Sequence, residues 1–384
     1  MVASARTEPR GSMAMELTIG DPTLMARLER GMDASEERLR ALAAEARDPY
    51  VAEVAGHLFG RGGKRLRPLL ALVGAEFGER CPERRPERRP AAADPSAAGA
   101  SATGTAVTDP SAAGLSATDA PAAVDATVDA AALAELVHVA SLFHDDVMDQ
   151  GLTRRGVPSV NARWGNTTAV LAGNWLLSKA AQLAAELGPE TIRLQSKVTN
   201  RLIMGQIREL VGPSDDDDPL SHYFTVVAGK TAALIAMALQ LGAVRTGAPD
   251  RVVQALAEYG EHLGIAFQIS DDILDVTSTS EVSGKEQGKD LAIGVASLPV
   301  LLALADERPE AGELRALLTA ATAAEGTGLP KAVALLHRCG ALAEARTVLH
   351  ARLLRARTAL NGLPDGPATQ VLHALCDFVA RRDH

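Results

Sequence analysis

Ser141-Leu142-Phe143-His144-Asp145-Asp146-Val147-Met148-Asp149 closes an apolar run with helical spacing, and Gln268-Ile269-Ser270-Asp271-Asp272-Ile273-Leu274-Asp275 closes another. Both end in Asp-Asp-x-x-Asp. On a helix, residues i and i+4 share a face and lie about 6 Å apart along the axis. Asp145 and Asp149 therefore point the same way with Asp146 beside them, and Asp271, Asp272 and Asp275 repeat the arrangement. Six carboxylates converging in one cavity would repel one another and raise their own pKa values. A hard divalent cation relieves that repulsion. Magnesium takes oxygen ligands, keeps several waters and bridges one or two carboxylates to substrate phosphates. One acidic triplet is an ordinary solvated helix face. Two copies, each on an otherwise apolar segment, point to Mg2+ and a phosphorylated substrate.

The composition sets the frame. A chain of 384 residues with 47% hydrophobic side chains can bury a large core. Aromatics make up only 3% while Ala and Leu abound, which favours helix over strand. The net charge of −9 excludes a general nucleic-acid binder, so an anionic ligand must be met by local basic residues. Cys81, Cys339 and Cys376 have neither zinc-ligand nor CxxC spacing, and an odd count fits a reducing compartment. No apolar run approaches the roughly 18 residues of a membrane span, and the N-terminus lacks the apolar core of a signal peptide. The expected location is cytoplasmic, with no transmembrane segment.

Residues 1–20 read as a disordered N-terminus, with Met13 or Met15 as alternative starts, and 21–384 as a single domain. A low-complexity stretch at 81–124 interrupts that domain. It repeats Glu83-Arg-Arg-Pro at Glu87 and Asp94-Pro-Ser-Ala-Ala-Gly at Asp109, and nothing in it can build a core, so it reads as a disordered surface insertion. Helical spacing is expected over 24–46, 69–77, 128–148, 165–185, 191–211, 223–241, 251–276, 298–305, 330–337, 341–360 and 368–381, with Asp33 and Ser35 as candidate caps. The run Asp215–Asp218, between Pro213 and Pro219, reads as a turn and helix start, not a metal site. With no convincing strand pair, the fold class is all-α, helices packed around a central cavity.

Several cationic segments could meet a diphosphate. In Leu58-Phe-Gly-Arg-Gly62-Gly63-Lys64-Arg65-Leu66-Arg67-Pro68 a glycine-rich turn enters a helix, a diphosphate cradle or a basic helix start at the surface. His138 lies two turns before Asp145 on the same face, as a ligand or as a core histidine. Arg154 and Arg155 follow the first motif on a turn, placed to pair with phosphate or simply solvated. Gln206 and Glu209 share a helix face. Lys230, inside an apolar helix interrupted by Gly229-Lys230-Thr231, must snorkel out or face a polar cavity, and the cavity fits better beside two carboxylate clusters. Ser283-Gly284-Lys285 through Leu291 is a lid over phosphates or a solvent loop.

Taken in order, these motifs resemble those of trans-isoprenyl (polyprenyl) diphosphate synthases. The likeness runs from about Leu24 to Asp383 outside 81–124, and includes Gly205-Gln206-Ile-Arg-Glu209, Lys230-Thr231 and Phe267-Gln268 to Asp275. It implies the isoprenoid-synthase fold, a homodimer, and head-to-tail transfer of an allylic diphosphate onto isopentenyl diphosphate. By the same resemblance Asp145, Asp149 and Asp271 lead in binding Mg2+, supported by Asp146, Asp272 and Asp275. Arg154, Lys230, Thr231, Gln268 and Lys285 hold the allylic diphosphate, and Lys64, Arg67, His138 and Arg155 hold isopentenyl diphosphate. Three residues depart from the family pattern. Asn174 stands where Asp is usual, Val295 where Lys is common, and Asn161 where short-chain members often have His. The first two are expected to weaken a phosphate or supporting contact without abolishing activity.

The growing prenyl chain would run down the helix bearing Asp145. Ala140 and Ser141 lie about one turn below Asp145, with Val137 beneath. The resemblance makes aromatics there a floor that stops growth early, and these residues are small. The first motif also lacks the two-residue insertion of many bacterial geranylgeranyl synthases. The expected product is therefore long, about C30–C50, as for an isoprenoid quinone side chain. Such a product would bring the protein to a membrane surface peripherally. The alternatives are a short-chain geranylgeranyl or farnesyl diphosphate synthase and, in another class, a non-catalytic prenyl-binding subunit of a heteromeric synthase. The six intact aspartates weigh against the last.

Overall fold

The computed structural model describes residues 20–59, 61, 63, 65–78, 120–277, 291, 296–306, 309–321 and 329–382. Residues 1–19 and 79–119, on which the readings of 1–20 as a disordered N-terminus and of 81–124 as an insertion largely fall, lie outside the described residues, as do Lys64, Val295 and the loop holding Lys285.

The described chain is a helical bundle: α1 Pro22–Ala44, α2 Pro49–Ala55, α3 Leu66–Ala75, α4 Ala120–Met148, α5 Val160–Trp164, α6 Asn166–Leu187, α7 Pro189–Val211, α8 Pro219–Val227, α9 Ala233–Arg245, α10 Asp250–Thr277, α11 Leu298–Ala305, α12 Pro309–Ala321, α13 Leu329–Arg338, α14 Ala341–Leu360 and α15 Pro367–Arg381. One two-residue hairpin, β1 Thr153–Arg154 with β2 Val157–Pro158, is the exception, in a stretch whose sequence reads as a plain turn. α4 begins at Ala120, eight residues before the expected start, so the helix takes in the end of the 81–124 stretch.

Local chemistry sets the helix ends. Asp21 caps α1, its side chain accepting from Leu24 N at 2.8 Å, with Pro22 in the first turn. Asp33 and Ser35 are not caps. They lie inside α1, where the Ser35 hydroxyl donates to Gly31 O one turn back. Asp218 caps α8 through Ser221 N, as the acidic turn at 215–218 implies.

α9 is the axis of the bundle. It packs against α3, α4, α7 and α10, and nearly all its side chains are buried. Glycine makes its contact with α3 possible: a Cβ at Gly242 would stand 1.8 Å from Ala71 O. The buried apolar side chains of the bundle join in one cluster. The expectation that no apolar run approaches the length of a membrane span is corrected: two helical stretches, Ala126–Met148 and Pro219–Arg245, are long and apolar enough by length and composition. Both lie mostly buried in the middle of the bundle, where an all-round apolar helix belongs.

Candidate active site

The first acidic motif ends α4 and the second lies near the end of α10, with α9 packed against both helices. α8 passes into α9 through one π-helical turn, Ala228–Ala232. Such turns widen a helix locally and re-aim its side chains. This one lies backbone to backbone against α7: a Cβ on Gly205 would stand 2.9 Å from Lys230 N, and one on Gly229 2.8 Å from Arg201 O. Lys230 pairs with Glu209 and couples by charge to Asp145 and Asp149. The neighbouring Thr231 donates to Gln268 Oε1 at 3.1 Å. Two adjacent residues of the π turn thus reach the surroundings of both motifs. Burial alone would lower the Lys230 ammonium; Asp145 and Glu209 raise it above its ordinary value. It faces carboxylates and does not snorkel away. Glu209 belongs to the same polar group, and Gln206 reaches only the Met148 sulfur, at 4.0 Å.

The six aspartates do not all converge. The middle member of each motif is rotated by one residue from its neighbours and turns into the protein. Asp146 has no exposed surface, and its Oδ1 accepts from Arg154 Nε at 2.9 Å and Nη2 at 2.6 Å. Asp272, also buried, accepts from Tyr223 OH at 2.7 Å, Leu298 N at 3.0 Å and Gln268 Nε2 at 3.0 Å. It ties α8, α10 and α11 together. The expectation of six facing carboxylates is corrected to Asp145, Asp149, Asp271 and Asp275, which stay partly or fully exposed. A buried carboxylate is stable only when donors meet its oxygens. Both oxygens of Asp272 are met, whereas Asp146 is met at Oδ1 alone and its Oδ2 has no partner among the described residues. Tyr223→Phe should therefore cost about 2 kcal/mol of stability. A denaturant titration checks this, with kcat expected to change far less than stability.

Asp145 is the perturbed carboxyl of the open set. Burial raises it, Lys230 opposes, and Asp149 and Glu209 reinforce, leaving it at about 6. Asp271 Oδ1 receives Arg382 Nη2 at 2.6 Å, from the end of α15. The Arg382 guanidinium lies over the Phe267 ring, 4.4 Å from its centroid. Among the described residues no three His, Cys, Asp or Glu side chains are already gathered as a metal site. The donors present are carboxylates alone, separated by helical turns. They fit a hard cation that takes one or two oxygens from each motif and completes its shell with water and diphosphate oxygens.

A second cluster holds the other predicted cations. Arg154 and Arg155, adjacent on the hairpin, diverge: Arg154 goes to Asp146 and Arg155 Nη2 to Glu135 Oε1 at 2.8 Å. Arg65 Nη1 meets the same Glu135 oxygen at 2.6 Å. Arg67 is buried to the point that its guanidinium falls to about 10, and its Nε has no hydrogen-bond partner. Burial, with Arg67 beside it, holds His138 well below its ordinary value and therefore neutral. Burial would raise Glu135, but Arg155 foremost among its cationic neighbours holds it at about 2. A desolvated guanidinium with an unmet Nε beside further arginines has the chemistry to meet an anion. Arg65 and Arg67 are half-buried beside Glu135, whereas Gly60, Gly62 and Lys64 of the 58–68 stretch lie outside the described residues.

Of the chain-length residues, Val137 and Ala140 have no exposed surface, whereas Ser141 is partly accessible and its hydroxyl donates to His138 O at 2.8 Å. Asn161 Nδ2 donates to Asp146 O and Gly151 O, holding the turn after the first motif, and Asn174 is exposed. Sequence reasoning missed Glu135 and Arg382. Glu135 had a signal, being the one acidic residue between Asp129 and Asp145 in a buried helix. Arg382 had none.

The chain is similar to known proteins over most of its length. The polyprenyl synthetase family model matches residues 48–336. The nonaprenyl diphosphate synthase of Mycobacterium tuberculosis is 36% identical, over 95% of this chain and 96% of its own. Heptaprenyl diphosphate synthase component 2 of Geobacillus stearothermophilus is 32% identical, over 91% and 95%. The geranylgeranyl pyrophosphate synthase of Corynebacterium glutamicum, solved with calcium and isoprenyl diphosphate, superposes with a TM-score of 0.75 at 32% identity, over 95% of this chain and 99% of its own. A match over most of the chain, on the helices that carry both acidic motifs, places this protein in the polyprenyl synthetase family of prenyl diphosphate synthases, with their all-α fold.

Proposed function

We propose that the protein is a long-chain polyprenyl diphosphate synthase. It condenses isopentenyl diphosphate head-to-tail onto an allylic diphosphate, in the presence of Mg2+, to a product of about C30–C50 for an isoprenoid quinone. The carrying observation is the π turn, whose Lys230 and Thr231 join the surroundings of both carboxylate motifs while the arginine cluster lies on the hairpin side of α4. Asp145, Asp149 and Asp271, with Asp275, would hold Mg2+, which when bound neutralises the departing diphosphate. Lys230, Thr231, Gln268 and Arg154, with Lys285, orient the allylic diphosphate so that its C–O bond can ionise. Arg67, His138 and Arg155, with Lys64, hold isopentenyl diphosphate with its double bond toward the allylic carbon. Neutral His138 donates a hydrogen bond without adding charge. The small residues below Asp145 and the long products named for two relatives support chain length. Residues 21–384 would form one catalytic domain, with the low-complexity stretch ahead of α4 as its surface insertion.

Purified protein, Mg2+, isopentenyl diphosphate and farnesyl or geranylgeranyl diphosphate test this, with products resolved by length. A C30–C50 product is expected. A stop at C15 or C20 keeps the chemistry and overturns the length. The relative named as one component of a synthase favours a second reading, in which activity needs another chain. No product alone but product with such a chain would establish it.

A homodimer fits the surface. α7 exposes Ile203, Ile207, Leu210 and Val211 along one stripe, and α6 beside it exposes Leu171. The site also makes a prediction about metal. Arg382 neutralises Asp271 before any metal arrives, so Arg382→Ala should tighten divalent-metal binding about fivefold. Titrating the substrate-free protein with Mn2+, read by electron paramagnetic resonance, checks it; unchanged affinity would mean that the ion pair does not compete.

A further inference from the structure

Glu135 is buried on α4 among three arginines and has no assigned part in the reaction. One oxygen serves two guanidinium groups, those of Arg65 and Arg155. The same two groups share a second acceptor, the Leu58 carbonyl, at 3.2 Å from Arg65 and 3.4 Å from Arg155. Both arginines have left-handed backbones, at φ 49° and 52°, a conformation L-residues adopt at a cost. Gly63 leaves room for the arrangement, since a Cβ there would stand 3.2 Å from Arg155 Nε. His138 lies one turn beyond Glu135 on the same helix. The carboxylate thus faces a loop, the start of α3 and the hairpin at once.

The structure assigns Glu135 as the positioning residue of the isopentenyl diphosphate half-site: it fixes Arg65 and Arg155 in place before the substrate arrives. This rests on the proposed function and deepens it. Without a counterion, the neighbouring guanidinium groups repel and have no reason to stay packed in a buried pocket. With one Glu135 carboxylate against Arg65, Arg67 and Arg155, the pocket keeps an excess of positive charge for a diphosphate. Orientation is then set during folding, not during binding.

Two competing effects follow from removing the charge. Glu135→Gln strengthens the positive potential but releases both arginines. If positioning dominates, Glu135→Gln raises the isopentenyl diphosphate Kd and KM by about 10- to 100-fold, with the allylic KM and kcat within about threefold. In an Arg155→Gln background the same substitution should change the isopentenyl KM by clearly less than it does alone, because only its hold on Arg65 is left to lose. Glu135→Asp keeps the charge and shortens the reach; it should fall between, and it carries the test if Glu135→Gln does not fold. Calorimetry with isopentenyl diphosphate and steady-state kinetics read these outcomes. Unchanged or tighter binding in the folded variant overturns the assignment, as does full additivity with Arg155→Gln. Failure of the wild type itself to bind isopentenyl diphosphate or form product would overturn the proposed function instead.

Discussion

Asp145→Ala is expected to lower kcat by about 10³-fold while leaving the fold intact. Asp145 lies one turn before Asp149, on the open side of α4, and is charge-coupled to Lys230. Under the proposed function, its removal would take away a metal oxygen where diphosphate charge develops, and Asp149, a helical turn away, would not replace it. Asp272→Asn would behave differently. Asp272 is filled by three protein donors, so its substitution acts mainly on stability. Comparing kcat and thermal stability for the two variants separates the open carboxylates from the inward ones. Equal kcat losses without destabilisation in Asp272→Asn would show that the inward carboxylate also serves the reaction directly.

The pH dependence of metal binding follows from the same residue. Asp145 titrates at about 6 without metal, and a cation needs the deprotonated form. Affinity for Mg2+ should therefore weaken as pH falls through about 6, by up to tenfold per unit. Stability of the metal-free protein has the opposite sign. The folded carboxyl holds its proton more tightly than an unfolded one titrating near 3.8, so this group destabilises the fold above about 6 and ceases to as pH falls toward 3.8. A Tm series against an Asp145→Asn control isolates that contribution.

Product length should respond most to Ser141. Placing an aromatic one turn below the acidic motif is expected to shorten the product, and Ala140→Tyr remains the direct test of a tunnel along α4. Ser141 is the better-placed position of the two. It is partly accessible, whereas Ala140 is fully packed and a tyrosine there must also displace neighbours. Ser141→Phe should move the product distribution by several C5 units with little loss of stability. Ala140→Tyr should combine shortening with lower stability. Chromatography of the products together with melting curves checks both. An unchanged distribution in the stable Ser141→Phe protein would show that the chain grows elsewhere.

The sequence by itself determined the helical architecture and the two acidic motifs. Both are local: apolar spacing fixes which residues form helices, and i, i+4 geometry puts Asp145 with Asp149. It also marked Lys230 as unusual, because a charge in an apolar helix needs a reason. What it could not say was which way a residue off that face would turn. Asp146 and Asp272 read as supporting the metal ligands, but only the packing of the hairpin and of Tyr223 and Leu298 supplies the donors that draw them inward. Glu135 shows the same division. Its charge was visible on α4, yet its two arginines come from positions 65 and 155, and only the folded bundle brings them to one oxygen. Arg382 was beyond reach altogether, since its contact with Asp271 spans 111 residues and depends on how α15 lies against α10. Helix formation is decided by neighbours along the chain, whereas the destination of a buried charge is decided by where its counter-charges are packed in space.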